Sequence, residues 1–377
     1  MVERQLFQVI RYFLNNDPVT EELDWQKLLK FAEKHSLAQF VYLYMNHLPK
    51  EQRPDAEMQR RIVRSHSYIV AKQISQNAAI EDIHSALEEN GCFHLFFKGS
   101  VTRKRYKDPF WRSMSDIDFL YQESQHKIVK KALLEKEFSG YVEGRKNDTY
   151  YCLPHVCVEA HRQLVPSNSS YYSYCAKVWE RAHLAEGCKY LYEMSVEDEL
   201  IFNIIHMAIH FLEGGAGIRF ILDVYVYNQL EINFQYVEHE LSEIDLLDFY
   251  KNISVLAENW FGSGEKNELS EKLADFILGN GTFGTSENSS ALAVSEGRLR
   301  YLRRMCFPGY KEMTSIYPWL NGKAILLPVA WVRRGFGVLT QKTEKLNAQI
   351  IKTRQGDRKL GKELHRFYRE CGLRGRL

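Results

Sequence analysis

The chain has 377 residues, a formal net charge of +2, 45% apolar and 26% charged residues. This composition excludes wholesale disorder, and the length suits two domains or one core with a large extension. No apolar run approaches the ~20 residues of a membrane helix, since Ile325–Val332 is interrupted by Pro328. The opening MVERQLFQVIRYF lacks the uniform apolar core and cleavage site of a signal peptide, so we expect a cytoplasmic protein with no membrane span.

Residues 1–91 carry a helical period. In DWQKLLKFAEKHSLAQFVYLYMNHL, Leu28, Leu29, Phe31, Ala32, Leu37, Phe40 and Val41 fall at helical spacing behind Asp24, a natural N-cap. A second long helix is predicted over about Asp55–Asn90, stopped by Gly91. The pattern changes at Cys92. CFHLFF reads as a buried strand, IDFLY at 117–121 as a second, SQHKIVKKALLEKEF as a helix, and YYCLPHVCVEAHRQL as one or two further strands. In the last of these, Val156, Val158 and Ala160 alternate with Cys157, Glu159 and His161.

After Pro166 the helical period returns, with helices predicted over Tyr174–His183, Val196–Leu212, Ile218–Leu230, Leu246–Trp260, Glu268–Leu278 and Ala291–Arg304, and a long one toward the C-terminus. GNGTFGTSENSS, 279–290, reads as irregular. The expected fold class is α+β: an N-terminal helical segment (1–91), a core with a small mixed sheet (92–165) and a large C-terminal helical region (166–377). Seven scattered cysteines without a CxxC pair argue against a disulfide framework or structural zinc site. From Trp331 to Leu377 there are 13 Lys/Arg against four Asp/Glu. We read this tail as a solvated amphipathic helix, dispensable for chemistry on a small acceptor, rather than a nucleic-acid arm, because few aromatics are interleaved for stacking.

The chemistry concentrates in FFKGSVTRKRYKDPFWRSMSDIDFLY. An apolar strand ends in Gly99-Ser100 and runs into Lys98, Arg103, Lys104, Arg105, Lys107 and Arg112 within one window. Glycine lets backbone approach a ligand, and the N–H groups that open a helix favour anions, so the segment suits phosphate. It is not a Walker motif, lacking GxxxxGK[ST]. Asp116 and Asp118, two apart at the start of a strand, present their carboxylates on one face while Ile117 and Phe119 fill the core. Such a pair is self-repelling without a cation, and hard divalent ions prefer these oxygens and bring phosphates with them. On this reasoning, neutralising Asp118 should stabilise the metal-free protein. Glu159 adds a third carboxylate on the polar face of a core strand, with a salt bridge to Arg162 as its structural alternative.

A Gly-Ser turn, Asp-Ile-Asp 17 residues later and an acid on a following strand resemble the nucleotidyltransferase superfamily typified by DNA polymerase beta. More narrowly, "FKGS…Y.DP..R.MSDIDFL", "VEAHRQL" and "HMAIH…GIRFILDVY" resemble a bacterial family of uncharacterised nucleotidyltransferases. The resemblance implies Gly99 and Ser100 as a phosphate-side turn, with Lys98 and Arg112 beside it. It implies Asp116, Asp118 and Glu159 as catalytic metal ligands for Mg²⁺ (or Mn²⁺), and transfer of a nucleoside monophosphate from a nucleoside triphosphate to an acceptor hydroxyl, whether of a small molecule, a sugar phosphate, a protein or an RNA end. Lys98 stands where much of the superfamily has an apolar residue, and Glu159 where aspartate is commoner. A nucleotide-binding or regulatory module without chemistry is the alternative on this fold.

His206 and His210 have a zinc-compatible i, i+4 spacing on a predicted helix, but no glutamate follows His206, so ordinary helix packing is the expectation. Arg219 and Asp223, also i, i+4, read first as a helix-surface ion pair and second as pocket residues. Cys157 and His161 share the face of Glu159 without a third member to complete a nucleophilic site.

Overall fold

A computed structural model describes residues 2–144, 147–152, 156–279, 285–295, 303, 306–340 and 357–374. Four helices open the chain: α1 (Val2–Asn15), α2 (Trp25–Lys34), α3 (Ala38–His47) and α4 (Ala56–Glu89). Asp24 caps α2, its carboxylate accepting from the Lys27 N–H, and Asp55 caps α4 through the Met58 N–H. The periodic stretch read across 24–48 is two helices, not one. His35 closes α2, and Ser36, at φ +58°, turns the chain before α3. The 34-residue α4 ends where Gly91 adopts φ +67°, as its sequence position requires.

The sheet follows. Strands β1 (His94–Phe97) and β2 (Ile117–Tyr121) flank the one-turn helix α5 (Gly99–Thr102) and the basic loop. Helix α6 (His126–Glu135) leads to β3 (Ser139–Val142), β4 (Asn147–Cys152) and β5 (Val156–His161). Two short helices, α7 (Tyr172–Cys175) and α8 (Val178–Arg181), replace the single helix expected over 174–183. They run into a hairpin, β6 (His183–Leu184) and β7 (Leu191–Glu193). Seven strands form one sheet in the order β3-β4-β5-β2-β1-β7-β6, with β2–β5 and β1–β7 parallel and the other pairs antiparallel. The α+β class is as expected, but the sheet reaches past residue 165: β7 pairs with β1 from the far side of α7 and α8. Strands of two to four residues, such as β6, β7 and β3, carry too little alternation to be read in advance.

The helical region comprises α9 (Val196–Glu213), α10 (Ile218–Asn228), α11 (Phe234–Glu243), α12 (Leu247–Phe261), α13 (Glu268–Gly279) and later helices Ser286–Val294, Tyr310–Ile316, Leu327–Thr340 and Arg358–Glu370. Helix α11 was not predicted. Residues 286–290, read as irregular, are helical, Thr285 capping them through the Asn288 N–H. Of the helix expected over 291–304, residues 296–302 and 304 lie outside the described residues. So do residues 341–356 and 375–377 of the basic tail. The helix Arg358–Glu370 is no solvated appendage: Leu364, Tyr368, Cys371 and Leu373 are buried in the main core, and Tyr368 meets Phe276 at a ring-centroid distance of 5.8 Å. Removing it would strip apolar surface from that core, contrary to the expectation of a dispensable tail. Among the described residues no helix is long and apolar enough to cross a membrane.

The two faces of the sheet serve different cores. Ile117, Phe119, Tyr121, Val156, Val158 and Ala160 pack with Ile83 and Leu87 of α4 and Val129 and Leu133 of α6. On the opposite face, Leu95, Phe97 and Leu120 join the main core under α9, where Phe97 meets Phe202 edge-on at 5.4 Å. Asp118, Glu159 and His161 therefore look toward the helical region. The loop between β1 and β2 clasps that region. Arg105 binds Glu199 bidentately (2.8 and 2.6 Å), Tyr106 donates to Asp223 (2.7 Å), and Arg112 binds Asp223 through both Nε (3.0 Å) and Nη2 (2.7 Å). The i, i+4 residues Arg219 and Asp223, expected on a helix surface, sit inside this arrangement. Both residues are buried, Asp223 turns to Arg112 and Tyr106, and Arg219 donates to the Ser113 carbonyl (3.1 Å).

Breaking the Arg112–Asp223 clasp from one side leaves a buried guanidinium uncompensated, which costs about 3–5 kcal/mol. Asp223→Asn is expected to lower the urea midpoint accordingly, whereas the paired Arg112→Met/Asp223→Leu exchange recovers a large part of the loss. Denaturation curves of the two variants decide it: equal losses would show that the ion pair has no such role.

Candidate active site

The pairing of β2 with its neighbours brings the acids together. The register places Phe97 opposite Asp118 and Asp118 opposite Glu159, and Leu120 opposite His161. Asp118 is 1% exposed, and its Oδ1 receives Lys98 Nζ at 2.6 Å and lies 2.7 Å from His161 Nε2. The same His161 Nε2 stands 3.2 Å from a Glu159 carboxylate oxygen. Asp118, Glu159 and His161 thus form one tight group of potential metal ligands. Arg162, the alternative partner of Glu159, points elsewhere and pairs with Asp148 at 2.9 Å. Lys98 holds φ +53° and ψ −132°, a strained backbone for a residue with a Cβ, and this turn sends its ammonium back to Asp118.

Electrostatics separate the three carboxyls. Burial would raise Asp118, but Lys98 and His161 outweigh it and hold this carboxyl well below the usual carboxylate range. Glu159 is lowered, first by its hydrogen bond with His161. Asp116 has no such partner: burial, then the nearby Asp118 charge, pushes it up to about 6. Lys98 and Arg219 offset only part of this, so Asp116 is the one acid of the three that is raised.

These side chains open onto a cavity of about 270 Å³ between the sheet and helices α9 and α10. Lys98, Gly99, Arg112, Asp116, Asp118 and Glu159 line it, so six of the seven residues singled out in sequence meet in one cleft. Ser100 is the exception. It is buried, with its hydroxyl 3.9 Å from Met114 Sδ. Gly99 is required by space: a Cβ there would stand 2.7 Å from Met114 Cβ. Arg112 lines the cleft, yet its fork is taken by Asp223. Of the other cations of the loop, Arg103 binds Asn77 and Arg105 binds Glu199, while Lys107 reaches the Leu14 carbonyl at 2.6 Å. Much of the charge read as phosphate-binding is structural. His206 and His210 line the cleft with their Nε2 atoms 3.1 Å apart, joined by Arg219 and Asp223. Burial, then Arg112, lowers the Arg219 guanidinium to about 9.

His161 is the residue that sequence reasoning undervalued. Its face was legible, two residues beyond Glu159, but its contact with Asp118 depends on the parallel β2–β5 register. A separate group, His84, Glu88 and His94, lies toward α4, where Glu88 already accepts the backbone N–H groups of Lys189, Tyr190 and Leu191.

A mixed sheet here presents acids from adjacent parallel strands, beside a glycine turn at the end of the preceding strand. The chain belongs to a family described as uncharacterised nucleotidyltransferases, whose model matches residues 21–262. It is accordingly a transferase of phosphorus-containing groups with a nucleotide as substrate. Neither the curated proteins nor the solved structures give a match.

The two aspartates should respond oppositely to neutralisation, which corrects the expectation that removing the Asp118 charge stabilises the protein. An acid raised to about 6 from 3.8 disfavours the folded state increasingly as pH rises through that interval. In EDTA, Asp116→Asn is expected to melt above the parent at pH 8, by on the order of 1–3 kcal/mol in stability, with the gain fading toward pH 4. Asp118→Asn strands Lys98 and is expected to cost about 3 kcal/mol at pH 8. The Asp118 contribution is lost only as pH falls through its depressed folded value. Melting curves of both variants at pH 4 and pH 8 check this, and shifts of the same sign would refute the assignment of partners.

Proposed function

We propose that this chain is a divalent-metal-dependent nucleotidyltransferase that moves a nucleoside monophosphate from a nucleoside triphosphate to an acceptor hydroxyl, with Mg²⁺ the expected ion and Mn²⁺ a substitute. The observation that carries the reading is the convergence of Asp116, Asp118 and Glu159 on one cleft, where burial and the Asp118 charge raise Asp116. Nucleotidyltransferases generally use divalent metals, and a hard cation is what a set of oxygen donors with surplus negative charge accommodates. Asp116, Asp118 and Glu159 would hold it. Both fold contacts of Asp118 fall on Oδ1, which leaves Oδ2 to an ion. When bound, such an ion neutralises the phosphates and acidifies the attacking hydroxyl. Gly99 lets the nucleotide approach the end of β1, and Lys98 and Arg112 supply positive charge at the cleft wall. The acceptor oxygen bonds to the α-phosphorus, the bond to the bridging oxygen breaks, pyrophosphate leaves, and the hydroxyl proton goes to solvent.

One observation favours a second reading, a nucleotide-binding module without chemistry: Lys98 already pairs with Asp118, whose Oδ1 also meets His161. The two readings separate on one variant. An enzyme is expected to bind a nucleoside triphosphate more tightly with Mg²⁺ by calorimetry, and Asp118→Asn is expected to lower transfer at least ~100-fold, because an ion ligand is lost. A parent that binds nucleotide without divalent dependence and transfers no label from any α-labelled nucleoside triphosphate in cell extract would overturn the enzymatic reading.

A further inference from the structure

A second, larger cavity of about 650 Å³ lies beside the cleft, against α4. One face of that helix builds its wall: Arg61, Arg64, Tyr68 and Lys72 follow at spacings of three and four. Ser113–Ser115 and Arg219 face them. Four cations therefore line this space against a single carboxylate, Glu33, which accepts a hydrogen bond from Ser65 (2.8 Å). Arg61 and Arg64 are exposed and enter no ion pair among the described residues. Lys72 gives one donor to the Ser115 carbonyl (2.9 Å), and the Tyr68 ring, 57% exposed, lies along the same face. Like charges a helical turn apart repel one another, so the helix gains nothing from this stripe by itself.

The position of the cavity gives the stripe a use. Met114, Ser115 and Arg219 line both spaces, and Ser115 is the covalent neighbour of Asp116. A molecule lying along α4 thus ends at the carboxylates. A volume of 650 Å³ is of small-molecule size, well beyond what an ion needs. Arginine forks match phosphate oxygens in pairs, and a tyrosine face offers a sugar or ring a surface to lie on.

We infer that this cavity is the acceptor site, and that it takes a small acceptor bearing a phosphate group, which Arg61 and Arg64 grip while a hydroxyl of the same molecule passes Ser115 to the reaction centre. The inference rests on the nucleotidyl transfer proposed above and names the class of its acceptor. The bonds exchanged are those given there, the oxygen attacking the α-phosphorus being that of the phosphorylated acceptor.

The test uses the full chain. With Mg²⁺ and a non-hydrolysable nucleoside triphosphate analogue filling the carboxylate cleft, inorganic phosphate is titrated calorimetrically into the parent and into Arg61→Glu/Arg64→Glu. Arg61→Gln/Arg64→Gln serves as a milder pair should the reversal disturb folding. Phosphate is expected to bind the parent and to bind the variants at least tenfold more weakly. No binding to the parent, or equal binding to the variants, overturns the inference. Loss of analogue binding in the variants also overturns it, since the arginines would then hold the nucleotide. In cell extract with an α-labelled nucleoside triphosphate, label is expected in a small molecule. Transfer is expected to fall at least tenfold when the extract is first treated with phosphatase, the phosphatase then being removed, and likewise in the variants. Label in protein or nucleic acid, or transfer that survives both treatments, rejects a small phosphorylated acceptor. If the parent binds no Mg²⁺–nucleotide, the reading of the cleft fails, and the phosphate titration without analogue still decides the cavity.

Discussion

An aspartate with 1% of its surface exposed persists as an anion only if the fold supplies countercharge, and the arrangement around Asp118 organises the rest of the molecule. Lys98 reaches it from the end of β1, and His161 from the end of β5. The carboxylate therefore ties together three neighbouring strands on the one face of the sheet that looks toward the helices. Lys98 holds a positive φ at this exit, and its ion pair with Asp118 offsets a conformational cost of about 1–3 kcal/mol. A network so well satisfied holds geometry. Asp116, two residues earlier, has no partner of that kind, and burial and the Asp118 charge raise its carboxyl.

The basic loop between β1 and β2 solves a different problem. The sheet face bearing the acids is covered by helices from a distant part of the chain, and polar groups at such a junction must be paired or they cost free energy. Arg105 with Glu199, and Arg112 and Tyr106 with Asp223, pair them across roughly a hundred residues of sequence. Guanidinium forks suit this role because two parallel hydrogen bonds fix orientation as well as distance. A window crowded with charges of both signs is thus mostly an adhesive between two layers, and the cleft is the gap the adhesive leaves open.

This division explains what could be read from the sequence and what could not. Local rules sufficed for the Asp24 cap, for α4 and its stop at Gly91, for IDFLY as a strand, and for the shared face of Glu159 and His161, because each depends on residues within a turn or two. They failed where the decisive partner is remote. Whether Arg112 faces a phosphate or Asp223, and whether Asp223 faces Arg219 four residues back or Arg112 a hundred residues away, is set by packing of α10 against the loop. The β6–β7 hairpin was invisible for a related reason: two- and three-residue strands exist because β1 has an open edge to pair with, not because of their own pattern. Even the repulsion between Asp116 and Asp118, correct as an inference, was assigned to the wrong member, since alternation shows that two acids share a face but not which one meets a cation.

The same long helix that shields the back of the sheet also shapes the space in front of the acids. Lys72, Gln73 and Gln76 of α4 bind the carbonyls of Ser115, Phe110 and Met114, so the segment that carries Asp116 into β2 hangs on one face of α4. About two to three turns earlier, at Arg64 and Arg61, that face is solvent-exposed and basic. A rigid helix 34 residues long therefore links the position of the unpaired carboxylate to the position of an anion-attracting groove. Displacing the Ser113–Ser115 segment would move a wall of both cavities at once, since Met114 and Ser115 belong to each. Two binding spaces that share a wall cannot be tuned independently. In a transfer reaction this coupling is useful, because the distance between the two substrates is then set by the width of that wall rather than by the motion of separate domains.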